Sequence, residues 1–275
     1  MPQLTADIEY SERGTGPALL FLPGSFGTGA GWRGVIDALG GGYRIITTSL
    51  LGYGATVERR PLGNATMAQQ VEVLDAIVER IGAPTHVVGH SFGGLCAIVH
   101  AMQGAHKIAS LSLVEANPFE ILRTAGDDAL HATFGAMTDV YFAEFEIGRL
   151  DAARHVIDFY GGAGTYDAFP PKVRDYVVAT TASNIRDWTS ARSFRPPLAD
   201  FREIRAPTLV IRGGNGHPAM LRIAELLAET MPAAEMATID GGSHFLPMTH
   251  AAAVARLIES HVARTGSWGR SSLLK

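Results

Sequence analysis

The sequence predicts an α/β fold: a mostly parallel central sheet flanked by helices, with one inserted helical cap. Three observations carry this. Short, β-rich apolar runs alternate with helical patterns, which calls for βαβ crossovers and parallel strands. The alternation stops after Glu115 and resumes near Pro207, across a stretch too long to be a loop. With 47% hydrophobic and 18% charged residues over 275 positions, the chain has apolar material for a sizeable core.

In chain order, strands are expected at Ile8–Glu12, Ala18–Leu22, Tyr43–Thr48, Thr85–Gly89, Ile108–Glu115, Thr208–Arg212 and Met236–Asp240. Each is a short apolar or β-branched run bounded by turn residues. "RGTGP", Arg13–Pro17, reads as a turn joining the first two strands as a hairpin. The best helix starts at Thr66, where Met67, Val71, Leu74, Val78 and Ile81 recur at three- and four-residue steps. Thr66 followed by Gln69 resembles a capping box. Further helical patterns cover Trp32–Leu39, Phe92–Gln103, Ala219–Thr230 and Ala251–Arg264. The tail "GSWGRSSLLK" is expected to be loosely held, and no internal repeat or low-complexity tract is visible.

The interruption, residues 119–199, is expected to be a helical cap on a core domain made of residues 1–118 and 200–275. It has helical patches, breaks such as "YGGAGTYDAFPPK", and no clear strand. Its 81 residues hold 12 of the chain's 22 aromatics. A small helical bundle needs aromatics for its own core, and the excess also suits the apolar wall of a pocket.

Charge and cysteine usage exclude several functions. The net charge is −4 and the 23 basic residues are scattered, so there is no basic stripe for nucleic acid. The N-terminal "MPQLTADIEY" lacks the pattern of a signal peptide, and the longest apolar runs are too short to span a bilayer. The single cysteine, Cys96, allows no intrachain disulfide and fits a reducing compartment. A cytoplasmic protein without membrane attachment, monomer or homodimer, is expected. No Cys pair or convincing His pair offers metal-ligand spacing, and no dinucleotide fingerprint follows the first strands. No metal or cofactor is therefore expected.

The stretch "THVVGHSFGGLCAIV", Thr85–Val99, sets Ser91 between a buried strand and a helix, in the pattern Gly-His-Ser-Phe-Gly. In that context the serine fits a nucleophile elbow: a sharp turn exposes the hydroxyl above the helix N-terminus, which supplies positive potential and the free N–H of Phe92. A nucleophilic serine needs a base. Of ten histidines, His244 in "MATIDGGSHFLPMTH" sits in a glycine-rich loop just past the last strand, at the carboxyl edge where open α/β sheets bind ligands. His250, near a helix start, reads as a capping or surface residue, and His90, beside the serine, as structural. An oxyanion hole needs two N–H donors about 3 Å from the developing negative oxygen. Phe92 supplies one; Ser25, in "LPGSFGTGAGW", supplies the other by position, with Gly24 permitting the backbone approach.

Together, the element order, "FLPGSFGTGAGW", "GHSFGG", the cap insertion and "GGSHFLPMTH" resemble the α/β-hydrolase fold superfamily over nearly the whole chain. The resemblance implies a Ser–His–acid triad, acyl transfer to the serine and hydrolysis by water. Pro23-Gly24 stands where the superfamily commonly has His-Gly.

The acid is the larger departure. In most members it follows the penultimate strand, but "TLVIRGGNGHPAM" contains no aspartate or glutamate, and Asn215 is its nearest polar candidate. One strand earlier, "LSLVEANPFE" ends an apolar strand on Glu115. Some α/β-hydrolases, including one group of haloalkane dehalogenases, carry their acid after this strand, although the dehalogenase nucleophile is an aspartate. Glu115 keeps the order Ser, acid, His, and a carboxylate ending a buried strand would need a partner such as His244. Asp240 and Asn215 remain the alternatives.

The expected function is a cofactor-free serine hydrolase acting on a small to medium apolar carboxylic ester or related acyl compound. The same machinery also serves carbon–carbon bond hydrolases and cofactor-free oxygenases, and a non-catalytic ligand-binding member is a further alternative.

Overall fold

The computed structural model describes residues 7–104 and 108–271. Among them, seven strands form one sheet in the order β1-β3-β2-β4-β5-β6-β7. The strands are β1 (Ser11–Arg13), β2 (Ala18–Leu22), β3 (Arg44–Thr47), β4 (Thr85–His90), β5 (Ile108–Val114), β6 (Thr208–Gly213) and β7 (Ala234–Ile239). Only β1 runs antiparallel, against β3; the other neighbours are parallel.

The sheet is buried on both faces, as parallel sheets require: β2 is apolar and buried at every position, and the polar His86 of β4 and Ser110 of β5 bond each other at 2.8 Å. On β2, Leu20 and Leu22 join one core cluster while Leu19 and Phe21 join the other. The first cluster holds α2 (Met67–Ile81) and α3 (Phe92–Gln103); the second holds α1 (Arg33–Ala38) and the C-terminal helix α12 (Ala251–Ser271). The start of α2 is fixed locally: Gln69 Oε1 accepts the Thr66 N–H at 2.9 Å.

The expected hairpin does not form. β3 lies between β1 and β2, and Arg44 N–H donates to Pro17 O at 3.0 Å as the turn passes over the start of β3. Gly16 turns at φ 115°, where an added Cβ would strike the Gly42 carbonyl. Burial explains the outcome. All three β1 residues are exposed and offer no apolar face, whereas β3 brings Ile45 and Ile46, both buried, beside β2. The place next to β2 goes to the strand with apolar surface to bury. At the other end, α12 continues to Ser271, into the tail expected to be loose; residues 272–275 lie outside the described residues, as do 1–6 of the N-terminal stretch.

Between β5 and β6 the chain runs through α4 (Glu120–Ala125), α5 (Asp128–Glu146), α6 (Arg154–Gly161), α7 (Thr165–Ala168), α8 (Pro171–Ser193) and α9 (Leu198–Phe201). Much of its aromatic content packs together and joins the first core cluster. The fully buried Phe134 ring lies 4.9 Å from Phe119, 4.9 Å from Phe159 and 6.1 Å from Trp188. α8 is unusual in burying a polar stripe, including Thr180, Ser183, Asn184, Asp187 and Ser190. After β6 come α10 (Pro218–Thr230) and, past β7, the short α11 (Leu246–Thr249). No described helix is long and apolar enough to cross a membrane.

Candidate active site

The carboxyl ends of β4, β5 and β6 meet the loop after β7, and the sequence-derived candidates converge there. Ser91 follows β4 with φ 50° and ψ −120°, a conformation that a side-chain-bearing residue adopts only under constraint. The constraint is visible: Ser91 N–H donates to Val114 O on β5 at 3.0 Å, and its own carbonyl accepts from Leu95 in the first turn of α3. The side chain thus stands above α3, whose first-turn N–H groups have no acceptor within the helix. Phe92 is the first residue of that helix.

His244 Nε2 lies 2.9 Å from Ser91 Oγ, and its Nδ1 lies 3.2 Å from Glu115 Oε2. All three residues are at most 6% exposed. Glu115 also has a positive φ, 48°, and its N–H bonds to Ile211 O on β6 at 2.8 Å. Its second oxygen, Oε1, accepts the Gly213 N–H at 2.7 Å. The acid therefore reaches across to the end of β6, beside the place where a carboxylate after that strand would stand. The end of β6 is crowded: a Cβ on Gly213 would collide with the Gly242 carbonyl and lie 2.8 Å from the Ser243 carbonyl of the histidine loop. Asn215 and Asp240, the alternative acids, are both exposed, and the Asn215 N–H is engaged by Gly242 O at 2.8 Å.

The imidazole is held on several sides. His90 Nε2 bonds the His244 carbonyl at 2.8 Å. Burial, together with the neighbouring His244, pushes the His90 pKa down to about 3, so the ring is neutral and Nε2–H is the donor. The Tyr160 ring, from α6, stacks on His244 with centroids 4.0 Å apart and planes 14° apart. Its hydroxyl accepts from Asn117 Nδ2 at 3.0 Å. His250 stays apart from this group, its Nδ1 bonded to Thr249 Oγ1 at 2.8 Å.

Ser25 and Phe92 line the same small cavity as Ser91, with a volume of about 20 Å³, roughly the room for one water. The loop and the elbow are pressed together: a Cβ on Gly24 would stand 2.9 Å from His90 Nδ1 and 3.0 Å from Ser91 Cβ. Trp188, Val156 and Ala191, from the segment between β5 and β6, close the cavity. Ser25 also borders a second cavity of about 280 Å³, lined by Phe26, Ile157, Phe169, Val173, Phe245 and Met248 among others.

One group was absent from the sequence-level candidates. Asp187, 1% exposed, accepts hydrogen bonds from Ser25 Oγ (2.6 Å), Tyr53 OH (2.6 Å) and Arg60 Nη1 (2.7 Å). Burial opposes the Arg60 charge, but Asp187 and Glu58 outweigh it and raise the guanidinium pKa above its ordinary value. Hydrophobic periodicity cannot find such a residue, because α8 presents polar side chains to the interior. Asn117, two residues beyond Glu115, and Tyr160 were likewise missed, and only the nearness of Asn117 to the acid offered a signal. Among the described residues, no three His, Cys, Asp or Glu side chains cluster as metal ligands.

Comparison with known proteins gives a consistent assignment. A 2-hydroxy-6-oxononadienedioate/2-hydroxy-6-oxononatrienedioate hydrolase from Paraburkholderia xenovorans is 25% identical over 281 residues, covering 93% of this chain and 90% of the relative. A pimeloyl-(acyl-carrier protein) methyl ester esterase from Aromatoleum aromaticum is 27% identical over 238 residues, covering 84% of this chain and 92% of the relative. The structure of a thermophilic esterase from Thermogutta terrifontis superposes with a TM-score of 0.74 at 19% identity, over 94% of this chain and 93% of that one. The model of the alpha/beta hydrolase family matches residues 19–257, nearly the whole described fold, and the chain belongs to that family.

Proposed function

We propose that the protein is a serine hydrolase that cleaves a small to medium apolar carboxylic ester or related acyl compound. The observation that carries this reading is the continuous path from Ser91 Oγ through His244 to Glu115, at 2.9 and 3.2 Å, with the serine on a strained turn. His244 takes the Ser91 proton as the oxygen attacks the acyl carbon, and Glu115 holds the imidazole and stabilises its charge. The tetrahedral oxyanion forms against the N–H groups of Ser25 and Phe92. Collapse of that intermediate expels the alcohol, protonated by His244, and leaves an acyl ester on Ser91. Water, deprotonated by the same histidine, then releases the acid and restores the serine.

In this reading residues 119–199 act as a cap. The cavity over Ser91 admits little more than a water, so an acyl group enters only when Trp188 and its neighbours move aside. The adjoining apolar cavity at Ser25 receives the longer arm of the substrate. Similarity to the dienedioate hydrolase does not carry its substrate over. A dianion needs a cation facing it, and the residues lining the Ser91 cavity include Asp187 and no lysine or arginine. That favours an uncharged ester.

The test is covalent labelling. Wild-type protein should react with a fluorophosphonate probe and hydrolyse para-nitrophenyl esters, while Ser91→Ala should lose both and keep its fold by circular dichroism. An unlabelled wild type would point to a non-catalytic binding protein. Turnover of vinylogous diketones in preference to esters would point to carbon–carbon bond cleavage.

A further inference from the structure

The oxyanion loop has little regular structure to hold it. After Pro23 it runs through Gly24, Ser25, Phe26 and Gly27, closed by one backbone bond from Gly27 N–H to Gly24 O at 3.0 Å. Phe26 sits at φ 60°, in the left-handed region that a bulky residue avoids. Such a loop needs an anchor from outside if an N–H on it is to keep one direction. The Ser25 hydroxyl supplies one by donating to Asp187 Oδ2 at 2.6 Å, across 162 residues of chain.

Asp187 is itself fixed. Tyr53 OH donates to the same oxygen, and Arg60 Nη1 holds the other. Arg60 in turn bonds Glu58 and the Leu51 carbonyl, so the network ties α8 to the loops of the core. Replacing a buried ion pair with apolar packing is often neutral or stabilising, so stability alone explains such a cluster poorly. Its place explains it better, since Asp187 and Ser25 line the cavity that contains Ser91.

We propose that Asp187 is a positioning residue for the oxyanion hole, gripping the Ser25 side chain so that docking of α8 sets the direction of the Ser25 N–H. The proposal rests on the serine-hydrolase reading. It makes the oxyanion hole dependent on a residue of the insertion, although both N–H donors belong to the core. A loosened Ser25 would weaken binding of the tetrahedral state and leave ground-state binding nearly untouched.

The experiment compares wild type, Ser25→Ala, Asp187→Asn and the double variant with a para-nitrophenyl ester and with an alkylboronic acid. The boronate adduct on Ser91 is tetrahedral and places an oxygen in the hole. Ser25→Ala keeps the backbone N–H but removes the tether, and Asp187 retains Tyr53 and Arg60. It should lower kcat by about tenfold or more, short of the ~10²–10³ that accompanies loss of a whole donor. KM should change by less than about threefold, and boronate affinity should fall in parallel with kcat. The double variant should lose little beyond the larger single effect, because both changes act on one contact. Should Asp187→Asn fail to fold, with Glu58 left as the one carboxylate bonded to Arg60, Ser25→Ala decides alone. A Ser25→Ala variant with kcat and boronate affinity within about twofold of wild type, in a protein that labels at Ser91, overturns this proposal and leaves the hydrolase reading standing. A wild type that neither labels nor hydrolyses esters overturns both.

Discussion

Replacing Glu115 with glutamine preserves shape and removes one charge, and the surrounding donors dictate how the new side chain must turn. Gly213 N–H, buried at the end of β6, donates to Glu115 Oε1 at 2.7 Å. Leaving that donor unpaired would cost about 1–3 kcal/mol. The glutamine therefore turns its carbonyl oxygen to Gly213 and its NH₂ group to His244 Nδ1, where Glu115 Oε2 stands 3.2 Å away in the native protein. Nδ1 must then accept a hydrogen bond, so the ring proton moves to Nε2, the nitrogen 2.9 Å from Ser91 Oγ. In that tautomer the histidine cannot take the serine proton. An amide in place of the acid costs about 10⁴ in kcat by this route, or roughly 5 kcal/mol of barrier. Initial rates on para-nitrophenyl esters should show the loss in kcat, with KM changing much less. Asn215→Ala and Asp240→Asn alter exposed side chains and should leave kcat within about threefold of wild type. If Glu115→Gln keeps its rate while either of those collapses, the assignment of the acid is wrong.

The cavities and the buried histidines lead to two further outcomes. Across a series of para-nitrophenyl esters, kcat/KM should rise with acyl length by about 1–3 kcal/mol for each well-buried methylene until the apolar cavity at Ser25 is filled; a preference for short, charged acyl groups would contradict the proposed substrate class. Burial lowers the pKa of His86 from 6.5 to about 4 and, with His244 contributing, that of His90 to about 3. Above pH 6.5 neither histidine costs the fold anything. As pH falls from 6.5 toward 4, the unfolded chain binds protons that the native state refuses. Unfolding free energy should therefore drop by up to about 1.4 kcal/mol per pH unit for each. Urea titrations at several pH values would measure this slope, and stability that stays level between about pH 6.5 and 4.5 would refute it.

What the sequence determined by itself lies within one element or one turn. The helix Phe92–Gln103 and the strand Ala18–Leu22 occupy the residues that their patterns mark, because side-chain periodicity and turn chemistry act over a few neighbours. The sharp turn at Ser91 was legible for the same reason, and so was a carboxylate ending β5. Only the tertiary structure decided what crosses those distances. β3 separates β1 from β2 because Ile45 and Ile46 have apolar surface to bury and β1 has none. Glu115 faces both Gly213 and His244 because the ends of β5 and β6 lie side by side, which no spacing along the chain records. The link from Ser25 to Asp187 lay furthest from view. A polar residue on a helix ordinarily marks its solvated side, and Asp187 turns inward because Arg60, Tyr53 and Ser25, far away in sequence, meet its hydrogen-bonding demand, while Tyr141 bonds Asn184 and Thr180 and Ser190 donate to carbonyls of their own helix.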